Sequence, residues 1–481
     1  MDPEIREKVR RSLVEAIGEG RVLHAETDLR AYRSDYFYQL IANGDRDRYA
    51  PDFAVLPETT PDVQKIVKVA SDHNIPIIPK GGGSNLCGML VPVKGGIVID
   101  TIKMNKIVEV NVRDLFATVQ PGITLKELDE VLSGRGLALN QLQGSYKVAT
   151  IGGSIATAGF PRKHNKYGTI GDRVMSLEVV LADGTVLRTG PKVLYTSTGY
   201  RLHQLFVGSE GTLGVITEAT LRVEPLPEAH AAVLAYYTDF WSALEASCQI
   251  KVSGVTMVGL EAFEISDSWD YEAPAGRHGA LVVDFEGTRG EVEAERRFVT
   301  DIVERTGGVL SDPRNAEFVT KGYEMIWCGL KAMCEKRRDA VCSYIPSGRL
   351  AEFYDKVWND ILPKYGMTPY PFSERRSADM GRYEMAYVVF ALPDDEKWHE
   401  SHSAATREIA ELAVSLGGSI AACMGVGLKY RDHLKMEYSE TALEMMIGVK
   451  RLLDPQDIMN PMKKLPVVET RAIPNANPPG E

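Results

Sequence analysis

Apolar positions along this 481-residue chain follow two rhythms, one of helices and one of strands. From Pro3 to Gly20, Ile5, Val9, Leu13 and Ile17 recur every fourth residue, which predicts an amphipathic helix with one buried stripe. "PDFAVLPETTPDVQKIVKVASDHNIPIIPK" then reads as strand, helix, strand. Thr60 is the predicted N-cap of that helix, Pro61 its first residue, and Val63, Ile66, Val67 and Ala70 its apolar stripe. "GGIVIDT" predicts a buried strand, and "ATVQPGITLKELDEVLSGRG" a strand, a turn and a helix. In "SLEVVLADGTVLRTG", alternation on either side of Asp183-Gly184 predicts a hairpin.

The pattern changes at the Pro-rich "VEPLPE", Val223 to Glu228. Beyond it come three strand–long helix–strand units, an α+β layout in which helices cover one face of an antiparallel sheet. "SETALEMMIGVKRLLDPQDIMNP" predicts a last helix stopped at Asp454-Pro455, with Met445 and Met446 as core packing. The tail beyond Lys464 is expected to be loosely held.

Composition narrows the function classes. The chain is 44% apolar and 25% charged, with a formal net charge of -11, which argues against a general nucleic-acid or anionic-membrane surface. No apolar run reaches the length of a membrane span, and "MDPEIREKVRRSL" lacks the apolar core of a signal peptide. Six cysteines are scattered with no C-x-x-C, as expected of reduced thiols in a cytoplasm. The size suits an enzyme of two or three domains.

"PKGGGSNLCG" raises the chemical question. A dinucleotide-binding fingerprint needs a third glycine where Ser84, Asn85 and Leu86 stand, and a P-loop needs Lys and Ser/Thr where Met89 and Leu90 follow Gly88. What remains is a nest of backbone N–H groups able to hold a phosphate, or a plain tight turn. "GSYKVATIGGSIATAGF" and "LFVGSEGTLGVITEATL" add two further small-residue clusters, and three such clusters imply an extended ligand wrapped by backbone. A dinucleotide meets that description.

These segments, with "LEVVLADGTVLRTG", "TLRVEPLP" and "VKRLLDPQDIMNP", resemble the vanillyl-alcohol oxidase/PCMH superfamily of FAD-dependent oxidoreductases. Within it, the chain looks like the FAD-linked oxidases that include D-lactate, glycolate and D-2-hydroxyglutarate dehydrogenases. The resemblance implies a two-domain α+β fold: a PCMH-type FAD-binding domain over 1–225, an FAD-linked oxidase cap domain over 226–440, and a C-terminal segment, 441–481, returning toward the flavin. It implies that Lys80, Gly81, Gly82, Gly83, Ser84 and Asn85, with Gly88, cradle the pyrophosphate. Gly144, Ser145, Thr150, Gly152, Gly153 and Ser154 would form the second wall, near the diphosphate, ribityl chain and flavin. Glu210, Gly214 and Ile216 would hold the adenosine side, and Asn460 would return to the flavin region. With Ser84 at the tethering position of the loop and no cysteine between Gly144 and Gly171, FAD is expected to be non-covalent.

The resemblance breaks where substrate is handled. That branch carries H-x-G-D-G-N-x-H and E-H-G-I-G, whose side chains bind a metal beside the flavin. Here the second motif is Cys423-Met424-Gly425-Val426-Gly427, and the first is "ADMGRYEMAYVVF", without histidine, so the metal site is read as lost. Leu330 and Lys331 stand where an arginine often follows the tryptophan. Arg382, Tyr383, Arg431 and His433 become the candidates to anchor an acid and take its proton. Arg375 and Arg376 read as a solvated pair, His399 and His402 as an exposed helix start, and His164 as either a flavin-edge or a loop histidine. The expected activity is hydride transfer from a small organic substrate, first a 2-hydroxy acid, to FAD. An aromatic alcohol or phenol comes second, and a flavin-carrying electron-transfer subunit third. An electron acceptor or redox partner protein and a homo-oligomer are further expectations.

Overall fold

A computed structural model of the chain describes residues 1–37, 48–265, 273–316, 338–370, 376–382 and 384–466. The first helix runs Pro3–Ile17 and buries Val9, Leu13 and Ile17, leaving Ile5 half exposed. Its N-terminus is capped by Asp2, whose carboxylate accepts from the Glu4 and Ile5 N–H groups. The helix Thr60–Asp72 starts one residue earlier than its proline suggests. Thr59, not Thr60, is the cap, and it closes a reciprocal box with Asp62. Pro61 therefore occupies the second helical position.

That helix is the crossover that makes its flanking strands parallel. Phe53–Val55 and Ile77–Lys80 both run parallel to Ile97–Asp100, and Val22–Leu23 adds an antiparallel edge. The C-terminal segment joins the opposite edge, where the Asn460 N–H donates to the Ile77 carbonyl at 2.7 Å. A second sheet of five antiparallel strands follows, ordered Ile107–Asn111, Phe116–Val119, Val215–Arg222, Val174–Val180, Val186–Arg188. The hairpin expected at Asp183-Gly184 is its last pair, and Gly184 takes the left-handed backbone its turn requires (φ +85°).

From Ala229 onward the chain builds an eight-stranded sheet whose neighbours all pair antiparallel. The helices Phe240–Val252, Arg289–Arg305 and Trp398–Ser415 pack on one face, sharing a core with Leu260, Ala262, Val341, Ala378, Ala386 and Val388. Period-two alternation then sends Glu261, Phe263, Ser377, Asp379, Met385 and Tyr387 to the other face. That open face looks toward the glycine clusters.

Two surface expectations are reversed here. His402 is fully buried and hydrogen-bonds Asp339 at 2.7 Å, because the apolar face of its helix turns it inward. Met445 is 70% exposed, since the helix Glu440–Leu453 has no fully buried residue and rests on the second sheet's core through Val449 and Leu453. Among the described residues, no helix is long and apolar enough to cross a membrane.

Candidate active site

A cavity of about 720 Å³ separates the glycine clusters from the open face of the large sheet, within the usual range for a cofactor or ligand site. One wall is nearly all backbone. The strand Ile77–Lys80 ends in Gly81-Gly82-Gly83-Ser84-Asn85, and among the described residues the N–H groups from Gly81 to Leu86 meet no acceptor. Gly83 turns the run with φ +71°. A Cβ on Gly81 would collide with the Thr150 hydroxyl, and one on Gly82 with the Val148 carbonyl, so the first two glycine clusters pack backbone to backbone. Thr150 caps the helix Ile151–Ala156 by accepting from the Gly153 N–H at 3.3 Å, and Gly152 lies against Pro121. Gly144, Ser145, Gly153 and Ser154 complete this wall, with Gly214 and Ile216 from the third cluster. Unmatched N–H donors in a cradle too tight for side chains fit a diphosphate.

Other expected cofactor residues do different work. Lys80 lines the cavity, but its ammonium pairs with Asp100 at 2.8 Å. The Asn85 amide donates to the Met424 carbonyl at 2.8 Å, and its oxygen accepts from the Cys87 N–H. Glu210 lines the cavity and also acts as a clasp: its buried carboxylate accepts from the Val426 and Gly427 N–H groups at 2.8 and 2.9 Å. Gly88 lies off the cavity, where a Cβ would crowd Phe37 and Leu428. Asn460 lies behind the loop, its amide donating to the carbonyls of Met89 and Glu210. The family's altered glycine motif is thus fastened to the cofactor wall by Asn85 and Glu210. Gly211 (φ +71°), packed on Pro79, is a further lining residue from the third cluster.

The described members of the proposed catalytic set lie off the cavity. Arg382 is exposed and off the cavity, its N–H donating to Asn165. Arg431 donates to the Met462 carbonyl and pairs with Asp432, and His433, whose basicity is lowered by burial, also lies off the cavity. Tyr383 and Arg375 lie outside the described residues, as do Leu330 and Lys331. Arg376 is not solvated: it pairs with Glu264 at 3.0 Å and stacks on Trp241.

The facing wall is made of side chains on four strands. Strand register places Phe263, Ser377, Tyr387 and Cys342 in one cross-strand row, and Glu261, Asp379 and Met385 in the next. The Ser377 hydroxyl donates to Glu261 at 2.9 Å. Burial pushes the Tyr387 phenol well above its ordinary pKa, so it is a donor at neutral pH. Arg338 lines the same wall with its guanidinium 4.4 Å from the Tyr370 ring centroid.

The segment Phe160–Tyr167 closes the corner between the walls. Arg162 reaches Glu261 at 3.1 Å and Asp284 at 2.8 Å, and Lys163 pairs with Glu286. His164 is fully buried beside the Phe160 ring, and its Nε2 lies 3.0 Å from Asp379. The cavity-facing carboxylate of Asp379 is thereby held by a histidine from the other unit. Nothing in the local sequence announces this pair, because its members stand 215 residues apart. Among the described residues, no group of three or more His, Cys, Asp or Glu side chains converges as a metal ligand set would.

Comparison with known proteins decides the family. An FAD binding domain model matches residues 51–190, and the model for the C-terminal domain of FAD linked oxidases matches residues 226–464. The glycolate oxidase subunit GlcD of Bacillus subtilis is 31% identical over 422 residues, covering 86% of this chain and 88% of that one. The chain belongs to the FAD-linked oxidases. The D-lactate dehydrogenase of Archaeoglobus fulgidus is also 31% identical, over 90% of this chain and 95% of its own. Among solved structures, p-cresol methylhydroxylase superposes with a TM-score of 0.79 at 18% identity, covering 96% of this chain and 97% of that chain. Alkyldihydroxyacetonephosphate synthase gives 0.78 at 21%, covering 96% and 86%. At those identities the likeness is one of fold. This FAD-linked oxidase is therefore an FAD-dependent oxidoreductase, and its unmatched loop amides and side-chain-free cradle fit that cofactor.

Proposed function

We propose that this chain oxidises a small 2-hydroxy acid at the corner between the two walls, in line with relatives named for glycolate and D-lactate. The observation that carries the reading is Asp379, a cavity-lining carboxylate fastened to buried His164 at 3.0 Å. Bound FAD, held without a covalent tether along Gly81–Asn85 and Gly144–Ser154, supplies the hydride acceptor. Asp379 accepts the substrate hydroxyl proton, and His164 keeps its carboxylate aimed into the cavity. Tyr387 donates to the substrate carboxylate, and Arg338 supplies positive charge at that end. Phe160 and Phe263, with Met385 and Val389, give the site apolar walls that exclude water. Those walls also favour a second reading, an aromatic alcohol as substrate. The electrons leave to an acceptor or a redox partner protein.

Anaerobic mixing of the FAD-loaded protein with D- and L-2-hydroxy acids and with aromatic alcohols tests both readings. Bleaching by one enantiomer of a hydroxy acid, slowed at least about 100-fold in Asp379→Asn with flavin retained, is the expected result. Bleaching only by alcohols that lack a carboxylate selects the second reading. Equal rates in wild type and Asp379→Asn overturn the role of Asp379.

A further inference from the structure

The segment Cys423–Gly427 places a thiol, Cys423, on the cavity wall. A second thiol lies close by. Cys342, on the strand Arg338–Tyr344, is 1% exposed and stands next to Cys423, near enough for the Cys423 thiol to help raise its pKa. The backbone holds the two segments side by side. The Ala422 N–H donates to the Cys342 carbonyl at 2.9 Å, and Ser419 and Tyr344 exchange hydrogen bonds of 3.0 and 3.2 Å. Cys342 is also the cross-strand partner of Tyr387, so the pair borders the substrate end of the cavity.

We infer that Cys342 and Cys423 form a redox-active dithiol, in which Cys423 meets small oxidants entering the cavity and Cys342 resolves it to a disulfide. Access divides the roles: Cys423 is partly exposed and lines the cavity, whereas Cys342 is buried and does not. Desolvation, which raises the Cys342 thiol well above its ordinary pKa, keeps it from reacting first, while the buried Lys429 ammonium favours its thiolate. With hydrogen peroxide as oxidant, the Cys423 sulfur attacks one peroxide oxygen. The O–O bond breaks, a sulfenic acid forms, and the departing hydroxide takes the thiol proton and leaves as water. The Cys342 sulfur then attacks the Cys423 sulfur. The S–O bond breaks, the S–S bond forms, and a second water leaves with the Cys342 proton. The two thiols lose two electrons and the peroxide gains them.

The bond would tie the cap strand to the loop that Glu210 and Asn85 fasten to the cofactor wall. Oxidation would therefore register in the same corner that handles substrate. The inference stands on the thiol pair alone and does not depend on the identity of that substrate.

The test treats the FAD-loaded full chain with hydrogen peroxide, alkylates it under denaturing conditions, and maps peptides without reduction. The expected result is one linked peptide pair joining Cys342 and Cys423, lost on treatment with dithiothreitol. In Cys342→Ser the expected product is a dimedone-reactive sulfenic acid on Cys423. If that variant does not fold, Cys423→Ser serves instead, and it is expected to leave Cys342 alkylatable after the same treatment. Wild-type Cys423 running on to sulfinic acid overturns the inference. So does a bond from Cys423 to Cys87, or both thiols remaining alkylatable.

Discussion

The two walls of the cavity are built on opposite principles. The cofactor wall is made by leaving side chains out: Gly81, Gly82, Gly152 and Gly153 let three chain segments meet backbone to backbone, and the unmatched N–H groups become the binding surface. The cap wall is made by putting side chains in, with strand register stacking Phe263, Ser377, Tyr387 and Cys342 in a row. The first wall leaves a string of small residues that any reader of the chain notices. The second leaves none, since most of its strands are far apart along the chain. Specificity can drift on the cap wall while the cofactor wall stays recognisable.

Substitutions separate the two walls, beginning with the largest effect. Behind the cap wall, Asp339 pairs with buried Lys429 and with His402. Burial alone would raise the Asp339 carboxyl, but the Lys429 ammonium and the His402 hydrogen bond hold it well below the usual range. Asp339→Ala leaves Lys429 uncompensated and is expected to cost about 3–5 kcal/mol, read by denaturant unfolding. A change below about 1 kcal/mol would mean that water reaches Lys429.

Behind the cofactor wall, Asp35 accepts from the Phe37 and Met89 N–H groups, and burial pushes its pKa up to about 7. The folded state then keeps a proton that the unfolded chain releases near pH 4. This contribution is fully present below that pH and is lost as pH rises through about 7. It can reach about 4 kcal/mol. Asp35→Asn is expected to flatten the stability profile over that window. An unchanged slope in unfolding measurements from pH 4 to 8 refutes the assignment.

Gly82→Val drives a side chain into the Val148 carbonyl and is expected to weaken FAD binding at least about 100-fold, or about 2.7 kcal/mol. The retained flavin absorbance of the purified variant measures it. Tyr387→Phe, on the opposite wall, is expected to keep its flavin and to raise KM about 10-fold, or about 1.4 kcal/mol. Loss of flavin in Tyr387→Phe would blur the division between the walls. Arg382→Ala is expected to change flavin reduction less than about 2-fold, because the residue is exposed and off the cavity. A larger loss would return Arg382 to the site.

The parts legible in advance share one property: their signal is local. The helix Thr60–Asp72, the Asp183-Gly184 hairpin and the glycine loop each depend on residues a few positions apart. Where a local signal was ambiguous, the error was small, as with the cap that lies at Thr59 and not Thr60. The catalytic candidates were drawn from a different kind of signal. Arg382, Arg431 and His433 stand next to the altered motifs in sequence, but a strand or turn sends neighbouring residues to opposite faces, so nearness along the chain did not put them on the cavity. His402 was misplaced because polarity was taken as exposure, whereas Asp339 gives it a buried partner.

By itself, then, the sequence determined that this chain wraps an extended, phosphate-bearing cofactor with glycine-rich backbone. Tertiary structure alone decided which side chains face the cofactor across the cavity. It set Asp379 against His164, Tyr387 against Cys342, and Cys342 beside Cys423. A cradle of backbone amides is written in residues that lack side chains, and those are consecutive. A wall of side chains is written in strand register, which couples residues far apart along the chain and has no local mark.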